Sequence, residues 1–268
     1  MEEVDIEKLP DAVPRGNFKP TQLSGEATYI TIDLETTDLI RYGQMPHITQ
    51  IAASNIHSGA SLDIYVKPKL EISSEAQRIT GICMKNSDTM TVKGTVVQHV
   101  SIQSAIEKLC TWLEKFSNVV LVAHNGRRVS ALMCSKTIHR FFSCVSSLID
   151  SLPVFKKLFP NQSHRQEDLA LALLGIRYDA HNAIADVETL GKLLVFTRLS
   201  DKELLMYSFP PAAIHKNILF NTGKSKNLKS LEVLVSRGIC KMPTAENIVS
   251  SGLNLLDLKT IFSSPVTK

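Results

Sequence analysis

Asp33 and Glu35 stand two residues apart at the end of a β-branched, apolar run, Ala27 to Leu34 (ATYITIDL). Along a strand, a period of two puts both carboxylates on one face. They repel each other unless something positive lies between them, and a hard cation such as Mg²⁺ is bound through oxygen. A DxE also occurs at plain solvent-facing edges, so the pair alone leaves both readings open. HNAIADVETL offers His181 and Asp186. If a helix begins after Asn182, Asp186 falls in its first turn, where the helix dipole favours a carboxylate. His181 then sits in the preceding loop, either as a surface or capping residue or, beside metal-held water, as a general base. A third stretch, HNGRRVS, starts with His124 and Asn125 and ends with Ser130. It follows the apolar run Val119 to Ala123, and a polar turn ending a buried strand is a place for chemistry, yet it contains no acid.

The elements that must position these residues follow from periodicity. Ala27 to Leu34, His47 to Ile56 and Leu62 to Val66 read as three strands of a meander, with Ser58 and Gly59 as a turn. Ser74 to Ile79 reads as a short helical piece, and Ile102, Ile106, Leu109 and Leu113 give helical spacing over Ser101 to Phe116. Val119 to Ala123 reads as a buried strand, Ser130 to Phe142 as a helix, and Cys144 to Asp150 as a strand or extended segment. Leu152 to Phe159, Glu167 to Leu174 and the stretch up to Leu199 after His181 read as helices, the first two stopped by Pro160 and Gly175. This order predicts an α/β domain, a mixed sheet flanked by helices, over residues 27–199. Residues 1–26 read as a flexible leader. From 200 to 268 the texture changes: FPPAAI breaks helices, NTGKSKN is polar and basic, and three short helices follow, a small helical appendage. Its apolar face, with Leu228, Leu231, Leu234 and Val235, fits a cap on the domain; the alternative is a docking or dimerisation element for a protein partner.

Taken together, IDLETTDL, KPKLEISSEAQRITGI, LVAHNG, IDSLPVFKKLFP and HNAIADVETL resemble the DEDDh 3′→5′ exonucleases, the DnaQ-like branch of the ribonuclease H-like fold. Within that family the pattern is most similar to the three-prime repair exonucleases and to the exonuclease-like domains of PML-like proteins. The resemblance implies hydrolysis at 3′ ends of single-stranded DNA or RNA with two Mg²⁺, or Mn²⁺, ions ~4 Å apart. It assigns Asp33 to bridge both ions, Glu35 and Asp186 to complete the first site, and His181 to deprotonate the attacking water. The main chain from Leu34 to Thr36 would hold the terminal nucleotide, with His124 and Asn125 near it. The family's second motif ends in an aromatic residue and an Asp, and here those positions are Val129 and Ser130. A unit charge pair at ~4 Å is worth ~4 kcal/mol at an effective dielectric near 20. Hydration offsets much of it, and a residue of ~3 kcal/mol would cost about a hundredfold in rate. Two readings follow: an exonuclease with weakened chemistry, or an inactive pseudo-exonuclease that keeps the fold as a nucleic-acid or protein interaction module. Asp150 as a substitute acid is disfavoured, because it matches a separate family position. Arg127-Arg128-Val129-Ser130 also resembles a basophilic kinase site, where a phosphate would add about −1.5 to −2 charge; the alternative is a coincidental tetrapeptide.

Composition narrows the classes further. No apolar run approaches the ~20 residues of a membrane helix, and no GxxxxGK loop or nucleophile elbow is present. The acidic, polar start is not a secretory signal, and the five cysteines show neither a CxxC pair nor zinc spacing, which predicts reduced thiols in an intracellular protein of nucleus or cytoplasm. The net charge of +4 is mild, but Lys216, Lys224, Lys226, Lys229, Arg237 and Lys241 cluster beyond the motifs, either as a solvated surface or as a phosphate-contacting face.

Overall fold

In the computed structural model, residues 14–39, 46–125 and 138–263 are described. The expected segment Arg127 to Ser130, most of the expected helix Ser130 to Phe142, and the first half of the leader lie outside them. Ten strands and ten helices occur among the described residues: β1 (Thr28–Thr36), β2 (Ile48–Asn55), β3 (Ser61–Val66), α1 (Ser74–Thr80), β4 (Ile82–Met84), β5 (Met90–Val92), β6 (Thr95–Val97), β7 (His99–Val100), α2 (Ile102–Leu113), β8 (Val119–Ala123), α3 (Ile138–Cys144), β9 (Ser147–Asp150), α4 (Ser151–Leu158), α5 (Gln166–Leu169), α6 (Ala183–Thr197), α7 (Asp201–Leu205), β10 (Ser208–Phe209), α8 (Pro211–Ser236), α9 (Met242–Ser250) and α10 (Leu255–Ser263). The chain forms two compact units, one of Phe18–Pro211 and one of Ala212–Lys268 with the N-terminal residues through Asn17.

The first unit is a mixed sheet in the order β10-β9-β8-β1-β2-β3-β7. The expected meander holds: β1 pairs antiparallel with β2, and β2 with β3, while β8 lies parallel to β1 and β9 parallel to β8. The register of β1 shifts between Glu35 and Thr36, so the strand bends where the DxE ends. Ile30, Ile32 and Leu34 are fully buried on one face of β1. On the other face Tyr29 joins a core with Val120, Val122 and, from α6, Leu190, Leu193 and Leu194.

The start of α6 is pinned to this sheet with little room to spare. Ala52 of β2 packs against Ala183 and Val187, small residues that let the helix approach closely. Gln50 accepts the Ala183 amide at 3.3 Å and donates to Asp63 at 2.8 Å. Thr31 Oγ1 lies 2.9 Å from the Val187 carbonyl and 3.1 Å from that of Ser54. Ala52 and Gln50 are also the partners of Asp33 and Glu35 across the ladder. One strand thus fixes both ends of the motif pair.

The structure differs from the expectations at several places. Residues 82–97, where the periodicity predicts no element, form a second antiparallel sheet, β4-β5-β6. Cys144 ends α3 rather than opening a strand, and β9 starts at Ser147. The first unit reaches past the expected boundary at 199, because β10 pairs with β9. Part of the expected leader is packed: the Thr21 amide donates to Ser208 Oγ at 3.0 Å, and Phe18 meets Phe209 edge-on at 5.1 Å. FPPAAI and NTGKSKN lie largely within one 26-residue helix, α8. Pro211 occupies its first residue, where the missing N–H costs nothing. In the second unit Leu231 of α8 is buried against Ala245 and Val249 of α9, with Leu228, Leu234 and Val235 alongside, so the apolar face expected to cap the domain packs within its own unit. Among the described residues no helix is long and apolar enough to cross a membrane.

Candidate active site

β1 and α6 bring together carboxylates from two ends of the first unit. One oxygen each from Asp33, Glu35 and Asp186 lies within 4.8 Å of the others. Glu35 is 4% exposed and the other two are half-buried, so their charges are little screened by water. Asp186 is braced by donors. Tyr178 Oη donates to its Oδ1 at 2.7 Å, and Gln166 Nε2 donates to the same oxygen at 3.2 Å and to the Asp186 carbonyl at 2.8 Å. Burial, then the Asp186 charge, pushes the Tyr178 phenol well above its ordinary range, so it remains a donor. Gln166 opens α5, which runs on into one wide π turn, Ala170–Leu174, closed by Gly175 at φ +68°. An all-carboxylate donor set at this spacing fits a hard divalent cation.

His181 sits in the loop before α6, as its spacing predicts, with φ +62°. Its Nε2 lies 3.1 Å from Glu167 Oε1. The same loop is tied from a second side: Asp179 accepts Asn182 Nδ2 at 3.2 Å and pairs with Lys93 of the β5–β6 turn. Hydrogen bonds from Lys93 and Asn182 hold the Asp179 carboxyl below its ordinary range.

His124 and Asn125 follow β8. His124 Nδ1 lies 2.9 Å from Ser151 Oγ, and Nε2 lies 2.8 Å from the His164 carbonyl. With Nε2 donating to the carbonyl, Nδ1 accepts from the serine. Burial pulls the His124 pKa below its ordinary value. Asn125, at φ +55°, donates its amide to Asp150 Oδ1 at 3.0 Å, and the Leu152 amide donates to the same oxygen at 3.0 Å. Asp150 therefore caps α4 and steadies the turn, and it is outside the carboxylate cluster.

These groups share one cleft of about 820 Å³. Its lining includes Asp33, Glu35, Asp186, His181, His124 and Asn125. Leu34 and Thr36 are not among the lining residues: Leu34 is buried in the sheet, and Thr36 Oγ1 donates to the Asp38 carbonyl at 2.8 Å. Ser130 lies outside the described residues. Sequence reasoning missed the cationic members Arg78, Lys156 and Arg165, the apolar Ile79 and Leu152, and the braces Tyr178 and Gln166. Arg78 and Ile79 stand within KPKLEISSEAQRITGI, a signal that was available. Tyr178 and Gln166 reach Asp186 across loops that carry no periodicity.

Comparison with known proteins places this geometry. The model of the RNase_T family, described as exonuclease, matches residues 30–194. Two curated relatives are PolC-type DNA polymerases III. That of Thermotoga maritima is 26% identical over 244 residues, covering 84% of this chain and 16% of the relative. That of Streptococcus thermophilus is 28% identical over 174 residues, covering 63% of this chain and 11% of the relative. The chain therefore spans less than a fifth of the length of either. The solved structure of exonuclease I is similar with a TM-score of 0.52 at 19% identity, over 78% of this chain and 46% of that one, a likeness of fold.

Proposed function

We propose that this chain, which belongs to the RNase_T exonuclease family, hydrolyses phosphodiester bonds from the 3′ end of single-stranded DNA or RNA. The observation that carries the reading is the convergence of Asp33, Glu35 and Asp186 within 4.8 Å in a cleft also lined by His181 and three cationic side chains. Asp33, Glu35 and Asp186 would hold divalent metal, two Mg²⁺ or Mn²⁺ in their place. Bound there, the metal would stabilise charge on the attacking and leaving oxygens of an in-line displacement. The chain's own groups do the rest. Tyr178 and Gln166 keep Asp186 turned toward the cluster. His181 takes a proton from the attacking water, and Glu167 orients the imidazole. Arg78, Lys156 and Arg165 counter the phosphate charge, and Ile79 and Leu152 pack on the terminal nucleotide. The Leu34–Thr36 main chain and the His124–Asn125 turn hold the sugar end.

Ser130 favours a second reading. Where the family has a fourth acid this chain has a hydroxyl, so turnover is weakened, and at the limit the cleft binds without cutting. A 5′-labelled single-stranded DNA and RNA ladder assay in Mg²⁺ and in Mn²⁺ separates the two. The expected result is slow shortening from the 3′ end that vanishes in Asp33→Ala and quickens in Ser130→Asp. A silent wild type beside an active Ser130→Asp would make the protein a binding module. Silence in both would overturn the nuclease reading.

A further inference from the structure

The positive charge of the chain is concentrated in residues 212–268, none of which lines the cleft. Residues 212–268 hold eight Lys and Arg against three acids, while residues 1–211 hold 22 against 23. The net charge of +4 thus comes from residues 212–268, which carry +5 against −1 for the rest of the chain. Within that unit the cations are ordered. Leu231 turns into the contact with α9. Lys226, Lys229, Val233 and Arg237 follow one another at spacings of three and four, a single stripe on the side of α8 away from Leu231. Lys226, Lys229, Arg237 and Lys241 are all exposed. Among the described residues no ion pair neutralises any of the four. The stripe from Lys226 to Arg237 is about 16 Å long at 1.5 Å per residue. Apolar side chains lie between the cations: Val233 is 37% exposed on the stripe, and Ile239, between Arg237 and Lys241, is 66% exposed. The sole acid on α8 is Glu232.

We propose that this face is a second, sequence-independent contact surface for a nucleic-acid strand, with Lys226, Lys229, Arg237 and Lys241 on the phosphates and Val233 and Ile239 against the sugars and bases. A solvated surface needs neither the one-sided ordering nor the exposed apolar groups between the charges. A polyanion with apolar faces between its charges matches both. The surface takes its partner class from the proposed nuclease function, but it uses none of the residues of the cleft.

Fluorescence anisotropy with the full chain and a labelled single-stranded 30-mer in EDTA tests it across a salt series. Each phosphate contact contributes about 0.7 to the salt slope on single strands, so a Lys226→Ala/Lys229→Ala/Arg237→Ala variant should lose about 2 from it. Its affinity at moderate salt should fall by about tenfold or more. Alanine favours the helix, and circular dichroism should show α8 retained. Lys229→Glu alone should give a smaller loss in the same direction. Hydrolysis of the p-nitrophenyl ester of thymidine 5′-monophosphate, which carries a single nucleotide and no strand, should be unchanged. An unaltered slope and affinity would overturn the proposal whether or not the ester is cut. Displacement by polyglutamate as effective as displacement by DNA, charge for charge, would overturn it in favour of an acidic protein. An ester left intact, beside binding that still depends on α8, would sink the nuclease reading and leave this surface standing.

Discussion

On the wall of the cleft built from β1 and α6, the acids are fixed by backbone register and buried polar contacts. On the wall built from α1, α4, Glu167 of α5 and the loop at 179–181, the groups are held by exposed pairs such as Arg78 with Glu75 at 2.7 Å and His181 with Glu167 at 3.1 Å. Thr31, Gln50 and Ala52 tie the first wall to α6 whether or not a cation is present. Exposed ion pairs are worth about 0–1 kcal/mol, so the second wall can rearrange at little cost. The difference teaches a division of labour. The groups proposed to hold metal are fixed in place with like charges close together, and the groups proposed to face the substrate are adjustable.

The hardest way to break that contrast is to remove charge from the fixed wall. Asp186→Asn should cut turnover by about a thousandfold or more, a loss of at least ~4 kcal/mol of transition-state stabilisation. It should also make the fold more stable in EDTA. Relief of about 1 kcal/mol of repulsion raises Tm by about 2–4 °C in a chain of this size. Added Mg²⁺ or Mn²⁺ should raise Tm in the wild type but not in Asp186→Asn. A scanning-fluorimetry series with and without EDTA reads all of this. A variant no more stable than wild type would mean that the wall is not strained.

Tyr178→Phe removes a brace and leaves the acid. Loss of such an outer partner typically costs 10–100-fold in metal affinity, and Mn²⁺ titration by electron paramagnetic resonance should show a fall of about that size. Gln166 still donates to the same oxygen at 3.2 Å, which places the expected loss nearer the lower figure. If metal affinity is unchanged and only strand affinity falls, Tyr178 belongs with the adjustable wall.

What could be read from the sequence tracks the same contrast. β1, β2 and β3 are legible because their pattern has period two and a Ser-Gly turn separates the last pair. Asp33, Glu35 and Asp186 are legible because a strand end and a helix start fix their directions locally. The small sheet β4-β5-β6 was not, since three-residue strands carry too few side chains to show a period. α8 was misread because the polar Asn-Thr-Gly-Lys-Ser-Lys-Asn run looks like a linker. Buried Phe220 before the run and Leu231 after it hold that stretch helical, a tertiary effect that outweighs its weak propensity. Tyr178 and Gln166 were invisible because their partner is reached through folding, not through spacing.

His124 gives a third, smaller effect. Its pKa is lowered in the folded state, chiefly by burial, from the ordinary 6.5. The unfolded chain therefore binds the proton more readily. The stability that goes with a neutral His124 is complete above about pH 6.5 and is lost as pH falls toward the folded pKa. Wild-type Tm should accordingly drop between pH 7.5 and 5, and the drop should be shallower in His124→Gln, which can still reach Ser151 and the His164 carbonyl. Parallel curves would mean that the imidazole is neither as buried nor as neutral as its contacts require.

The smallest expected effect on stability falls on Lys93, and it sharpens the comparison most because it separates position from stability. Lys93 reaches Asp179, two residues before His181, and its own backbone is at φ +49°. Both partners of that pair are about half exposed, at 54% and 49%, so the pair should contribute no more than about 1 kcal/mol. The Asp179 carboxyl is held below its ordinary 3.8, so that contribution is present above about pH 4 and is lost as pH falls through the lowered value. Lys93→Ala should lower Tm by a few degrees at most at pH 7. Lys93→Gly should come out closer to neutral, because glycine relieves the left-handed strain while losing the same pair. Turnover should nonetheless fall by a few-fold in both, with metal affinity unchanged, since the loop that loses its tether carries the proposed general base, His181, and not the carboxylates. If both variants keep full turnover, Glu167 alone holds His181, and the small sheet contributes no positioning to the adjustable wall.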